Sequence, residues 1–188
     1  MRVLVAVAIL GILLGNGNVA AADESPNENL QAIRGIRILV EDMPKDAEEE
    51  HITRDMLSDQ ILAALRSKAP RLQIQPRSAH RFPTLYVLLE LVANATIYAG
   101  HLSLEVSRPA EVLIGYDNDA CDQIFLVGSA GNQTAPETCK RVFSPVTVWT
   151  DQYTLVGPRG EAASHVQRLL AQLLDHFLAE YDRANPNP

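Results

Sequence analysis

Two consecutive strand patterns between residues 85 and 107 limit most strongly what this chain can fold into. Residues 85–92 are apolar at every position except Glu90, which is typical of a central strand covered on both faces. After a turn at Asn94-Ala95, residues 101–107 alternate between polar and apolar side chains. Because side chains alternate between the two faces of a strand, this second strand has one hydrated face. The pair predicts a hairpin in an antiparallel sheet with one face exposed to water.

The remaining periodic segments predict two helices and three further strands. Residues 36–40 alternate with period two, residues 72–75 suggest a short strand, and residues 142–156 give a last strand that carries the single tryptophan, Trp149. A helix over roughly 53–68 begins with Thr53 as its N-cap. The final helix has the clearest apolar stripe, with residues at spacings of three and four: Val166, Leu169, Leu170, Leu173, Leu174, Phe177 and Tyr181.

These elements predict an α+β fold. Each helix has one apolar stripe to bury, and packing both helices on one side of a sheet is the simplest way to bury them. We therefore predict a two-layer sandwich, with two helices on one face of a mostly antiparallel sheet and the order β-α-β-β-β-β-α. No internal repeat divides the chain, so residues 35–184 are predicted to form a single domain.

The first 21 residues have the layout of a cleavable secretory signal peptide. Arg2 precedes an apolar stretch from Val3 to Leu14, and small residues follow at positions 20–22. The alternative is a membrane anchor, which needs about 20 apolar residues, and this stretch is shorter. We expect residues 22–34 to be a polar leader, residues 185–188 a tail, and no transmembrane anchor to remain after cleavage.

The charge and the cysteine content limit which classes of partner and which cellular compartment we expect. The chain has 16 basic and 23 acidic side chains and a formal net charge of −7, which disfavours nucleic acid because its phosphates require clustered Lys and Arg. Cys121 and Cys139, in a chain bound for an oxidising compartment, predict a disulfide that ties together an excursion at residues 117–140. Two free thiols and half of a metal site are the alternatives. We predict no cofactor and no metal.

Candidate reactive groups give no catalytic signature. Asp117, Asp119 and Asp122 are a weak calcium candidate, because cysteine and aspartate replace the oxygen ligand and the glycine that an EF-hand loop needs at its fifth and sixth positions. Ser129 lacks the spacing of a nucleophile elbow. His165 and His176 stand about 16 Å apart along one helix face, so they are interpreted as histidines at the solvent boundary. N-glycosylation sequons begin at Asn94 and Asn132, and the sequence does not tell whether either asparagine is glycosylated.

Several segments together carry a family resemblance. They are residues 81–87, the strand at 102–106, Val148-Trp149-Thr150, and the final helix from Leu174 to Tyr181 with its end at Asn185-Pro186. This pattern, over most of residues 35–186, resembles small exported bacterial proteins of uncharacterised function. The resemblance implies a periplasmic or secreted location and supplies no functional residues.

The leading functional hypothesis is a noncatalytic envelope protein, a binding or accessory module with an envelope protein as its partner. It would act through its sheet face or an edge strand, with a candidate interaction surface at Tyr98, His101, Tyr116 and Trp149. The alternative is a hydrolase that uses carboxylates and histidine, with Glu90 or Glu105 beside His101 in a cleft. A further alternative is a small-ligand or calcium-binding protein organised by the disulfide loop.

Overall fold

The computed structural model describes residues 27–114, 123–126 and 140–186. Within them a 3-10 turn at Glu28–Leu30 precedes three α-helices and six strands, so the predicted α+β class is confirmed. The helices are α1 (Lys45–Glu49), α2 (Arg54–Lys68) and α3 (Ala162–Ala184). The strands are β1 (Gly35–Val40), β2 (Gln73–Gln75), β3 (Thr84–Ala93), β4 (Ile97–Ile114), β5 (Gln123–Leu126) and β6 (Lys140–Pro158).

The sheet is mixed: most of its pairing is antiparallel, as the sequence predicted, and β1 adds parallel pairs that the sequence did not predict. β1 is parallel to both β2 and β3, whereas β3, β5 and β6 are antiparallel to β4. The reason is the path of the chain: α2 carries it back so that β2 starts beside the beginning of β1. β2 ends at Gln75 and β3 begins at Thr84, and both residues are partners of Arg37 in the register. The connection from β2 to β3 therefore crosses β1, and the chain then continues in the same direction.

The strand order places β4 at the centre of the molecule. β6 pairs with β4 along one edge from Ile97 to Ile114, and β3 pairs with its other edge up to Ser107. β5 pairs with residues 110–113 and must share the β3 edge, because a strand has only two edges. The sheet is therefore at most five strands wide at one level, in the order β2-β1-β3-β4-β6, with β5 beyond the end of β3.

The core lies between the helices and one face of this sheet. Alternate residues of the strands are buried there, including Ile36, Val87 and Leu104, each no more than 1% exposed. Leu57, Ile61 and Leu65 of α2 belong to the same cluster. The long helix α3 contributes ten buried residues: Ala162, Val166, Leu169, Leu170, Leu173, Leu174, Phe177, Leu178, Tyr181 and Ala184.

Local signals in the sequence mark both long helices correctly. α2 begins after Thr53, whose Oγ1 accepts a hydrogen bond from the amide of Met56 at 3.1 Å, as an N-cap does. The charged run after Pro44 forms the short helix α1. The segment predicted as a polar leader contributes Leu30 and Ile33 to the core, at 0% and 3% exposure.

Several predicted features lie outside the described residues and stay predictions. They are the signal peptide, the Cys121–Cys139 disulfide, the calcium candidates Asp117, Asp119 and Asp122, and the residues Tyr116 and Ser129. Among the described residues, no helix combines the length and the apolar character that crossing a membrane requires.

Candidate functional site

The face of the sheet opposite the helices carries a two-dimensional array of side chains, which we call the open face. The register aligns its residues in rows across three strands. On β3 they are Thr84, Tyr86, Leu88, Glu90 and Val92; on β4 they are Ser107, Glu105, Ser103, His101 and Ala99; on β6 they are Thr150, Gln152, Thr154 and Val156. The polar strand face predicted from residues 101–107 lies on this surface, where His101, Glu105 and Ser107 are half-buried and Ser103 is buried at 3% exposure.

One end of the open face is apolar and exposed. Val92, Ala99 and Val156 form one row across β3, β4 and β6. Val92 and Val156 are 67% and 65% exposed, and Ile97, in the next row, is 48% exposed. Contiguous apolar side chains at the surface are typical of interaction sites.

The next row brings Glu90 and His101 together, as the hydrolase alternative requires. The two residues are direct partners in the β3–β4 register, and cross-strand neighbours have Cβ atoms about 5 Å apart. Glu90 is exposed and His101 is half-buried. No hydrogen bond joins them in the described part of the chain, and neither residue lines the cavities around Arg71, Arg37 or Arg54. Acid–base catalysis needs a cavity in which such groups converge.

Tyr86 is held in its protonated form by its neighbours. Its hydroxyl donates a hydrogen bond to Glu41 Oε2. This bond, then burial, then the charges of Glu41 and Glu105 raise the pKa of Tyr86 to about 12. The phenol therefore acts as a hydrogen-bond donor at neutral pH, and it fixes the end of β1 to the open face.

The two histidines of α3 have separate structural partners. His176 Nδ1 lies 2.7 Å from Asp151 Oδ2 on β6, and its ring meets Trp149 edge-on with centroids 5.9 Å apart. His165 Nδ1 lies 2.6 Å from the Tyr98 hydroxyl. Within the described residues, no three His, Cys, Asp or Glu side chains are grouped so that they could hold a metal ion.

The structure buries two residues of the interaction surface suggested by the sequence. Tyr98 and Trp149 are 1% and 8% exposed, because the β4–β6 register turns both toward the helices. Tyr98 packs over Gly157, where an added Cβ would lie 2.6 Å from its hydroxyl oxygen. His101 is on the open face, and Tyr116 lies outside the described residues. Neither Tyr98 nor Trp149 can present an exposed aromatic surface.

The turn at Arg159-Gly160 binds an anion that belongs to the chain itself. Glu50 is buried, with its side chain 4% exposed. Its Oε1 accepts from Arg159 Nε at 2.9 Å, and its Oε2 accepts from the Gly160 amide at 2.8 Å. A guanidinium and an amide at a helix start suit a bound anion, and here that anion is internal. This contact joins α1 to the beginning of α3.

The outer edge of β6 is unpaired in the described part of the chain, where β6 pairs only with β4. The pairing shifts between Val106 and Ser107, which leaves Val148 as an extra residue on β6. The carbonyl of Val148 accepts a 3.5 Å hydrogen bond from Asn27. From Trp149 to Gly157 the register is regular, and we call this run the β6 edge. Its one charged residue is Asp151, which His176 contacts.

Sequence analysis predicted the strand but not its edge position. Position in a sheet depends on pairing between distant segments, which short-range periodicity does not report. The only local sign is composition: Thr150, Gln152 and Thr154 alternate with larger residues, and Pro145 and Pro158 flank the run.

Comparisons with known proteins give no family assignment. No family model and no curated protein matches the chain significantly. Among solved structures, the chain is similar to a crystal structure of a minor lipoprotein from Acinetobacter baumannii, with 11% sequence identity and a TM-score of 0.35 over 80% of this chain and 92% of that one. Similarity at this level carries no argument about fold or function. The resemblance to exported bacterial proteins stays a prediction.

Proposed function

We propose that this two-layer domain is a noncatalytic, periplasmic or secreted envelope protein, which acts as a binding module by accepting an extended segment of an envelope protein at the β6 edge. The observation that carries the proposal is the edge itself. Nine consecutive residues from Trp149 to Gly157 hold a regular strand conformation and have no described partner on their outer side.

The β6 edge lacks most devices that keep exposed edges from pairing. Such edges usually carry lysine, inward-pointing charges, proline or bulges. Here the prolines, Pro145 and Pro158, and the irregularity at Val148 lie outside the run. The one charge within it, on Asp151, is partnered by His176. The regular part is thus open to main-chain hydrogen bonding, which supplies affinity in strand addition.

Side chains on both sides of the edge define the segment that fits. On the open face, the added strand would lie beside Thr150, Gln152, Thr154 and Val156. On the helix side it would meet Tyr153, which is 37% exposed. Cross-strand pairs favour β-branched and aromatic residues at such positions. We therefore infer a partner segment rich in Thr, Val, Ile or Tyr and free of proline.

The hydrolase alternative has weaker support, because Glu90 and His101 meet on an open surface and line none of the cavities around Arg71, Arg37 or Arg54. The calcium-binding alternative depends on Asp117, Asp119 and Asp122, outside the described residues, and stays a prediction.

The test is in-cell cross-linking of the tagged mature protein, followed by mass spectrometry. The wild type should capture one abundant envelope protein. The double variant Gln152→Lys/Thr154→Lys should lose it, because both added charges lie within the β6 edge and lysine disfavours pairing with another strand. Ala63→Lys, at an exposed position of α2, is the matched control and should keep the partner. All three proteins should melt within about 2 °C of one another, since surface substitutions change stability little.

A second readout identifies the mode of binding. In the purified complex, amide hydrogen exchange of Trp149–Gly157 should slow, because an added strand takes up the outward amides. Capture of the same partner by the double variant would contradict the proposal. So would a complex in which these amides exchange unchanged.

A further inference from the structure

Arg37 is a half-buried cation that lacks an acidic partner. It projects from β1 onto the open face, where its Nε donates to Thr84 Oγ1 at 2.6 Å. Its Nη1 donates to the Arg77 carbonyl at 3.2 Å and lies 2.9 Å from His80 Nδ1. Its Nη2 has no hydrogen-bond partner among the described residues, and no carboxylate there pairs with it. Guanidinium groups taken out of bulk water normally contact an anion.

The guanidinium lines a small cavity, which we call the Arg37 pocket. The pocket has a volume of about 260 Å³, and the hydroxyl-bearing residues Ser107 and Ser144 are among those that line it. Because Arg37 donates to His80 Nδ1, that nitrogen must be unprotonated, and the ring keeps its Nε2 proton as a donor. Apolar walls come from Phe82, Pro109 and Pro145. The lining therefore combines one positive charge, neutral donors and apolar surface.

The charges around the pocket are mostly positive. Residues 60–89 contain no Asp or Glu, and the loop between β2 and β3 adds Arg77 and Arg81 beside His80. On β4 two acids stand next to pocket residues in the register: Glu105, one row from Ser107 and opposite Tyr86, and Glu111, two residues after Pro109. The helices pack on the opposite face of the sheet, so no helix C-terminus opposes an anion here.

We propose that the Arg37 pocket binds the carboxylate of a small organic acid. A carboxylate can accept charge-assisted hydrogen bonds from Nη2, the guanidinium nitrogen that has no partner among the described residues, and a single lining cation suits a monoanion. The volume is below the usual range for drug-sized ligands, so the acid carries only a short apolar group, which would pack on Phe82 and the two prolines. This inference is independent of strand addition at the β6 edge.

The experiment is an NMR titration of the ¹⁵N-labelled mature protein with propionate at constant ionic strength. Propionamide serves as the neutral isostere and inorganic phosphate as the competing anion. Propionate should shift the amides around Arg37, Thr84 and Ser107 saturably, with a dissociation constant on the order of millimolar for so small a ligand. Propionamide should shift them weakly, and phosphate should bind more weakly than propionate.

Variants separate a built site from general attraction of anions. Arg37→Gln should weaken propionate binding at least tenfold, because a charge-assisted contact is lost. Ser144→Phe, which fills the cavity but keeps the cation, should abolish binding. Glu105→Gln should strengthen it, since a nearby negative charge is removed. Arg168→Gln, an exposed arginine of α3, should leave it unchanged.

Four outcomes would overturn the inference: no saturable shift with propionate, equal affinity for propionamide, tighter binding of phosphate, or an equal loss in Arg37→Gln and Arg168→Gln. The melting temperature of each variant shows that it is folded. Because Arg37→Gln also loses its bond to Thr84, Ser144→Phe tests the pocket with that bond intact.

Discussion

Substitution of Gly157 by alanine tests the packing that removes Tyr98 from the protein surface. Tyr98 lies on β4 directly opposite Gly157 of β6. A Cβ at this position would lie 2.6 Å from the Tyr98 hydroxyl oxygen, 2.9 Å from Cζ and 3.1 Å from Cε1. Favourable separations of nonbonded carbon atoms are about 3.5–4.0 Å. The ring must therefore move outward, and it then loses its 2.6 Å contact with His165 Nδ1.

The expected loss of stability follows from these two effects. Overpacking a core typically costs about 1–3 kcal/mol, and a lost hydrogen bond costs about 1 kcal/mol. We expect Gly157→Ala to lower the free energy of unfolding by about 2–3 kcal/mol, because the ring has some freedom to tilt. For a domain of this size, 1 kcal/mol corresponds to roughly 2–4 °C in melting temperature.

A double-mutant cycle in urea, followed by circular dichroism, isolates this contact. Tyr98→Phe removes the atom nearest to the new Cβ and should cost about 1 kcal/mol alone. The double variant should be more stable than the sum of the single effects predicts, by about 0.5–1 kcal/mol. Gly160→Ala is the control: its φ of 86° strains alanine, but a Cβ there meets nothing within 4 Å. Strict additivity of Gly157→Ala with Tyr98→Phe would refute the packing argument.

Two further predictions concern charged groups that the fold holds in place. Glu50→Ala should lower stability in urea unfolding by about 1–2 kcal/mol, because it removes the hydrogen bonds that the buried carboxylate accepts from Arg159 and the Gly160 amide; Glu49→Ala, an exposed partner of Arg159, should cost less than about 1 kcal/mol, and equal losses would contradict this account. The raised pKa of Tyr86 keeps its phenol protonated in the folded state, so its stabilising effect is complete below pH 10 and declines as the pH rises toward about 12. Absorbance titration of Glu41→Gln should show a lower pKa for one tyrosine, and an unchanged titration curve would exclude Glu41 as the cause.

Short-range patterns were sufficient to predict the helices and the hairpin. The apolar stripe of α3 repeats at three and four residues because one face of a helix packs against the sheet, and the stripe needs no information from elsewhere in the chain. Thr53 marks the start of α2 for the same reason, since an N-cap contacts only the next few residues. The β3–β4 hairpin follows from two adjacent strand patterns and a short turn.

Pairing between distant segments could not be predicted in the same way. The parallel contacts of β1 with β2 and β3 join segments that are separated by α2 and by the Arg77 loop, and parallel or antiparallel pairing leaves the side-chain period unchanged. The burial of the Tyr98 and Trp149 side chains could not be predicted for a related reason. Each depends on which face of the sheet the helices cover, and a shift of one residue reverses every side chain of a strand.

Each candidate site depends on whether the fold gives its polar groups a partner, which residue type alone does not reveal. Arg159 and the Gly160 amide have the chemistry of an anion site, but Glu50 already occupies it. Arg37 gave no signal in the sequence, yet it lines a cavity and has no carboxylate partner among the described residues. The β6 edge likewise consists of ordinary residues, and its importance comes from backbone groups that no described strand pairs. Both proposed binding sites therefore depend on backbone or side-chain groups that the fold leaves without a partner, more than on the types of residue that the chain contains.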